Sequence, residues 1–600
     1  MQVAVSPPST SIIPAHALGP VRGPLPFTYG TNPFATHKGT TQGATAGGSA
    51  AQAPRGPAIS DVFHSFWSMR SGVHSSHSYL RNVKTRDLAF TVALILSAGI
   101  VVVVLIAAYR RAQADDTHVL AVGRFGKYYG TASVVYGVAV GAFLGVPYAD
   151  PRTLRFGAPV PWYRERVLFD NRSPAPSCAQ VSADLGEEFE NGPFLELRVR
   201  AESDTHIVQT GSNNDPHYDG RALAALGDVV VVVPNWRLGV LGFFSLSQSD
   251  EVPINVGLLD QAESLRWTAR NVDAFGGNKS DMVVVGHGSG ASALGYHLML
   301  GQGLNNIAPI LKAVFMSESP MTRYPVTNRG QDSGPSEMSN ASLRLLCEEA
   351  EMNNSSLLSC LRRLPVEELL RRQRADPRDL RFFPTLPVVW PAILWRELKI
   401  PRNVAVLVGF SEQEAQDLLY FFEQFFRLDE ERNLRDVART ILTLLSFSSA
   451  EATAILNHYP EDAANTSWVG HLLSDLLVVC PVRFYAEYLR NSGNTVHGYV
   501  LERKIGEGQP SRDYAARLLL GSPLVLGTSS PTEQALSREV IVRWANFFKT
   551  GLFTPANVSL MVGETEMSMM SLTHPMATWE PDLRKEECEK LRPYFSAFMQ

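Results

Sequence analysis

Between residues 286 and 290 the chain reads Gly-His-Gly-Ser-Gly, directly after the apolar run Asp281–Val285 (DMVVV). Two glycines four apart at the end of a strand, with a helix to follow, form the setting in which a serine on a sharp turn attacks an acyl carbon. Small neighbours are required there because strand and helix approach closely around a strained nucleophile. In this register the seat of the attacking residue is Gly288, which has no hydroxyl. Ser289 stands one residue later. Moving the nucleophile by one position turns its side chain through a large angle and leaves His287 and Ala291 where the turn calls for glycine. A rearranged esterase using Ser289 is therefore the weaker assignment. Glycine at 288 also removes the backbone strain that a serine would store.

Such a turn needs a sheet beneath it. Asp228–Pro234 (DVVVVVP) and Asp281–Val285 are unbroken β-branched or apolar runs, as expected of central parallel strands covered on both faces. Between them, Leu258–Phe275 carries a helical pattern through Leu259, Leu265, Trp267 and Val272, and Ala291–Leu300 can form the helix after the turn. Strand, helix, strand, tight turn and helix describe an α/β fold with a doubly wound, mostly parallel sheet.

Four longer stretches carry a family resemblance: FLGVPYADPRTLRFGAPVPW (143–162), NWRLGVLGFFS (235–245), NVGLLDQAESLRWTARNVDAFGG (255–277) and VIVRWANFFKTG (540–551). Together they resemble the cholinesterase/type B carboxylesterase family, an α/β-hydrolase fold, over almost all of 117–600. The family's acid lies in a pattern similar to Gly-x-x-x-x-Glu, which VGFSEQE (408–414) matches at Gly409 and Glu414. Its histidine stands nine residues before the glycine of a segment resembling Gly-x-Pro-Leu. Counted from Gly521, that position is Arg512. A guanidinium stays protonated and has no lone pair to accept a proton. His497, 15 residues earlier in the strand-like VHGYVLE, is a decoy. Thr205, His206 and Ile207 stand where the family has the glycines of its oxyanion loop. Alterations at nucleophile, base and loop lead to the expectation that the chain is not an enzyme but a pseudoenzyme of this family. Glu414 then becomes a hydrogen-bonded structural carboxylate. Within the family, the combination of tail, anchor and altered motif resembles the catalytically inactive adhesion molecules, which implies an extracellular protein ligand.

The resemblance also implies covalent ties. Cys347 and Cys360 close a short loop, and Cys480 and Cys588 match the family's long closing bridge. Cys178 matches the first cysteine of a third bridge whose partner position is Phe194, which leaves Cys178 outside both pairs. The helical stretches Ser530–Thr550 and Asp582–Met599 correspond to the family's four-helix dimer interface. A homodimer is one expectation; the other is that Leu536, Val540, Trp544 and Phe547 face their own core.

Leu88–Tyr109 is 22 residues without a charge, enough at 1.5 Å per residue to cross a bilayer core of roughly 30 Å. It reads as a signal-anchor helix. Before it, residues 1–87 are rich in Ser, Thr, Gly, Ala and Pro, hold seven Lys/Arg against two Asp/Glu, and read as a disordered cytoplasmic tail. That tail contains Asn32-Pro33-Phe34, which resembles a short peptide read by endocytic adaptors. Lys and Arg flank the span equally, so charge does not orient it. Orientation rests on the five cysteines, all beyond residue 109, and on sequons at Asn278, Asn340, Asn353, Asn354, Asn465 and Asn557. A seventh sequon, at Asn171, is weakened by Pro174. These features place 110–600 outside, as a single-pass type II plasma-membrane protein. The whole chain of 600 residues carries −5; subtracting the tail's +5 leaves an outer domain at −10. Such an acidic surface argues against nucleic acid as a partner. The motifs call for no cofactor and no metal.

Overall fold

Alternate residues of the apolar strands point to opposite faces of one sheet, and both faces are covered. In the computed structural model β8 (Val283–His287), β9 (Lys312–Met316), β10 (Ala405–Ser411), β11 (Thr495–Leu501) and β12 (Ser568–Leu572) pair in parallel, with β13 (Thr578–Pro581) antiparallel at the edge. Ala313, Phe315, Val406 and Val408 pack into the larger core with Leu294, Leu298 and Tyr485. Val314 and Leu407, one residue out of step, join the second core with Leu518, Trp544 and Phe547. This is the period-two signature of a sheet buried on both sides.

The structure describes most of 118–162, 167–179, 212–244, 252–300, 310–322, 354–375, 402–414, 433–459, 467–501, 513–553, 568–581 and 584–595, together with 2–5, 13–14 and 346–347. Leu88–Tyr109, Asn32-Pro33-Phe34, Phe194, Thr205, His206, Ile207 and Arg512 lie outside these residues, as do Asn340, Asn353, Asn465 and Asn557. The side chain of Asn354 is likewise outside the description.

Helices form close to where their patterns place them. Val256–Asn271 (α1) is extended by a 3-10 turn over Val272–Phe275, and Ser289–Leu300 (α2) follows the elbow. Tyr514–Leu520 (α3) and Pro531–Thr550 (α4) lie on the second core. Helix α4 begins at Ser530, whose hydroxyl accepts from Glu533 N–H, and ends at Gly551 in the left-handed region. Its Leu536, Val540, Trp544 and Phe547 are all buried against their own domain. Lys585–Leu591, with a 3-10 turn to Phe595, closes the chain. Both expected disulfides are present, Cys347–Cys360 and Cys480–Cys588.

Two readings need correction. A second sheet runs β2 (Ile13–Pro14), β3 (His118–Gly123), β4 (Gly126–Val135), β5 (Val138–Phe143), β1 (Gln2–Val5) and β7 (Val230–Val233), with β6 (Leu168–Asp170) beside β4. So β7, expected in a parallel pair, pairs antiparallel with β1. A β-branched run specifies a strand but not its neighbour's direction. The segment read as a tail also contributes structure: Val3, Ala4 and Val5 pair with Phe143, Ala142 and Gly141 on one side and with Val232, Val231 and Val230 on the other. Pairing on both edges overrides the weak local propensity of so short a run.

Among the described residues one helical run is long and apolar enough to cross a membrane, Trp468–Asn491, and 89% of its window is buried inside the fold. It is a core helix, interrupted by a π-turn at Asp475–Val479. Asp475 is buried there and is held by Tyr459 OH at 2.7 Å and by the Arg584 guanidinium.

Candidate functional site

The carboxyl ends of β8, β9 and β10 converge at one edge, the position at which open α/β sheets carry their sites. Gly288 follows β8 at φ 54°, a conformation that costs glycine nothing and other residues about 1–2 kcal/mol. Its N–H donates to Met316 O at 2.9 Å and its carbonyl accepts from Ala291 N–H at 2.8 Å, which pins the turn to β9 and starts helix α2. The first glycine of the motif is sterically required. A Cβ on Gly286 would lie 2.5 Å from Gly290 O and 2.6 Å from Ala291 Cα, whereas a Cβ on Gly290 would meet open space. The elbow is therefore built, with a bare α-carbon at its apex.

Ser289 opens helix α2 and is 5% exposed. The neighbouring Ser292 hydroxyl reaches buried Glu318 Oε2 at 3.0 Å and Ser319 O at 2.8 Å. Ser317, just before that glutamate, holds φ at 65° while its N–H donates to Gly409 O. Two left-handed residues, Gly288 and Ser317, thus stand side by side where β8 and β9 end.

Glu414 is fully buried at the end of β10, and its Oε1 accepts from Ser411 N–H at 3.0 Å. Its charge, secondary to burial, helps push the Tyr499 phenol well above its ordinary range. His497 lies in β11 with its ring edge-on to Phe547 at 6.1 Å, and burial lowers its basicity. It packs against helix α4. Cys178 belongs to neither bridge, and burial pushes its thiol up to about 11, so it is not a thiolate at neutral pH.

One arrangement was not read from the sequence. His287 Nδ1 lies 3.4 Å from Asp513 Oδ1, with both side chains almost wholly buried. The Tyr218 hydroxyl donates to Asp513 Oδ2 at 3.3 Å, and His217 Nδ1 faces the Ser522 hydroxyl at 3.3 Å. Burial, and then the Arg517 guanidinium, lower the basicity of His217. His287 is visible inside the motif, but nothing local names its neighbour. Asp513 comes from the turn before helix α3, too distant in sequence for spacing to reveal.

Comparison with known proteins fits the α/β fold. Residues 205–590 match the model of the carboxylesterase family. Over 540 residues the chain is 25% identical to the cholinesterase of Mus musculus, covering 79% of this chain and 86% of that protein. Over 505 residues it is 26% identical to the acetylcholinesterase of Bungarus fasciatus, covering 75% and 82%. Both relatives are named for hydrolytic activity, and no described feature positively marks its loss. That finding overturns the expectation that the chain is not an enzyme: an altered position in a motif removes one route to chemistry, not every route. By the extent of the match, the chain belongs to the carboxylesterase family.

Proposed function

We propose that this carboxylesterase-family chain acts at the cell surface, where its large acidic domain binds a protein ligand in heterophilic adhesion or signalling, in a neurotactin-like arrangement. The observation that carries the reading is Gly288: the fold maintains the elbow at φ 54° while its apex offers no hydroxyl. A scaffold kept without its usual nucleophile is one whose surface can be the functional part. Two disulfides and the exposed sequon at Asn278 support placing the domain in an oxidising, glycosylating compartment. Hydrolysis by another route is compatible with this reading.

Plasma-membrane anchoring through Leu88–Tyr109 in a type II orientation is part of the proposal and has a structural consequence. A single crossing would put Gln2–Val5 and Val138–Phe143 on opposite faces, so the anchored molecule must hold β1 out of the sheet. Antibody access to an N-terminal tag on intact cells distinguishes the two arrangements: exclusion supports the type II orientation, and binding overturns it.

The function itself is tested by mixing labelled cells that carry the full-length chain with differently labelled, tissue-derived cells that lack it. The expected result is mixed clusters with at least one such population. Clusters among carriers only, or no clusters with any population, overturn the reading.

A further inference from the structure

We infer that the protein ligand docks by lending an extended strand to the slot between β5 and β7, antiparallel to both. The inference rests on the anchored arrangement proposed above, in which Gln2–Val5 is held out of the sheet. What fills the slot in the structure shows that it takes a strand. Val3, Ala4 and Val5 pair with Phe143, Ala142 and Gly141, and Gln2, Val3, Ala4 and Val5 pair with Val233, Val232, Val231 and Val230. With β1 withdrawn, both edges present backbone N–H and C=O groups to one cleft, and such groups cost free energy until they are paired. A strand from another chain meets that need, with main-chain bonds giving affinity and alternate side chains giving specificity.

The two faces of the slot differ, and the difference sets the chemistry of the occupant. Positions in register with Val3 and Val5 fall on the face of Phe143, Val230 and Val232, which packs with Trp267 and Phe275. That face calls for β-branched or other apolar residues and rejects a charge, which would be buried there without a partner. Positions in register with Gln2 and Ala4 fall on the face of Ala142, Val231 and Val233. A cavity of about 250 Å³ opens over these residues, with Asn213, Asp215 and Arg221 in its wall. The occupant is thus a strand of alternating character, apolar towards the aromatic core and able to carry a polar side chain towards the cavity.

The probe is a fluorescent synthetic peptide with the sequence of residues 2–6, Gln-Val-Ala-Val-Ser, applied to intact cells that carry the full-length chain. A second set of cells carries the double variant Val3→Pro with Val5→Pro, whose N-terminus lacks the N–H groups that the ladder needs and leaves the slot open. Expected is binding to both forms above that on cells lacking the chain. N-methylation of the peptide at the Ala4 amide keeps every side chain and lowers binding about tenfold or more; Val3→Asp in the peptide abolishes it. Register is read with Ala142→Cys: a peptide with an activated disulfide at the Ala4 position captures it, and one with the disulfide at the Val3 position, on the opposite face, does not. Equal surface delivery shows that each variant folds. Saturating peptide is expected to disperse the mixed clusters of the cell-mixing experiment. The inference is overturned by binding to neither form, by binding that N-methylation leaves unchanged, by equal capture at the two positions, or by clusters that survive saturating peptide. Binding to the double variant alone means that β1 fills the slot at the cell surface, which overturns the type II orientation and the inference together. Peptide binding in the expected register without mixed clusters supports the slot as a strand acceptor and overturns the adhesion reading, so the two failures are told apart.

Discussion

Arg237 clasps Asp260 with two parallel hydrogen bonds, Nε to Oδ2 and Nη2 to Oδ1, both 2.7 Å long. A third bond, Nη1 to Gly157 O at 2.8 Å, ties the same guanidinium to the loop after β5. The clasp fixes the NWRLG turn after β7 to helix α1, and Asp260 is only 4% exposed. Removing one partner of such a pair leaves an uncompensated buried charge. Arg237→Ala should therefore cost about 3–5 kcal/mol, read as a lowered urea midpoint. The double variant Arg237→Met with Asp260→Leu should recover much of that loss.

Cys480 and Cys588 close a loop of 108 residues, and the bridge joins the long core helix to the C-terminal helix. Limiting the unfolded chain over such a loop stabilises by about 4–5 kcal/mol in the chain-entropy picture. Cys588→Ser should lower the thermal midpoint more than Cys360→Ser, because the loop between Cys347 and Cys360 spans only 13 residues. Calorimetry of both variants ranks them.

His297 is fully enclosed on helix α2, with Nε2 2.9 Å from Gln261 Oε1. Burial, and then the Arg266 charge, push its basicity down to about 4. The unfolded chain takes up this proton near pH 6.5 and the folded one only near 4, so the stabilisation is whole above about 6.5 and declines as pH falls towards 4. The linked loss is about 3 kcal/mol. Urea midpoints taken from pH 7 to 4 should fall less steeply for His297→Gln than for the parent.

Asn278 is exposed, and its Oδ1 accepts from Ser280 N–H at 3.0 Å in a compact turn. Asn171 also lies in a sequon, yet it is 2% exposed and its side-chain amide donates to Leu144 O at 2.9 Å. Glycan addition needs the first kind of site. Asn278→Gln should remove one glycosidase-sensitive step in gel mobility, and Asn171→Gln should remove none. A glycan on Asn171 would contradict the burial described.

What the sequence disclosed follows from the range of the forces involved. Val283–Val285 and the glycines at 286, 288 and 290 are local signals, and strand, elbow and helix α2 stand where those signals put them. Periodicity likewise placed helix α1; helix α4 came from the family resemblance, which left open whether Trp544 and Phe547 face a second copy or their own core. Partner choice is not local: the valines at 230–233 specify a strand, but nothing in them shows that Gln2–Val5 would pair alongside. The same holds for the site. Gly288 could be read in place, whereas the contact of His287 with Asp513 depends on folding that brings β8 against the turn before helix α3. The inference from altered motif positions to lost activity failed for a related reason, because a motif records one arrangement of reactive groups and the fold can supply others.

Covalent capture tests directly where attack can begin at the elbow. The full-length chain in membranes is treated with a fluorophosphonate, digested and mapped by mass spectrometry across residues 281–300. The prediction is an unmodified peptide, with Ser289 bearing no phosphonyl group. A stoichiometric adduct on Ser289 would show that a nucleophilic hydroxyl does serve this turn and would contradict the assignment of its apex to Gly288.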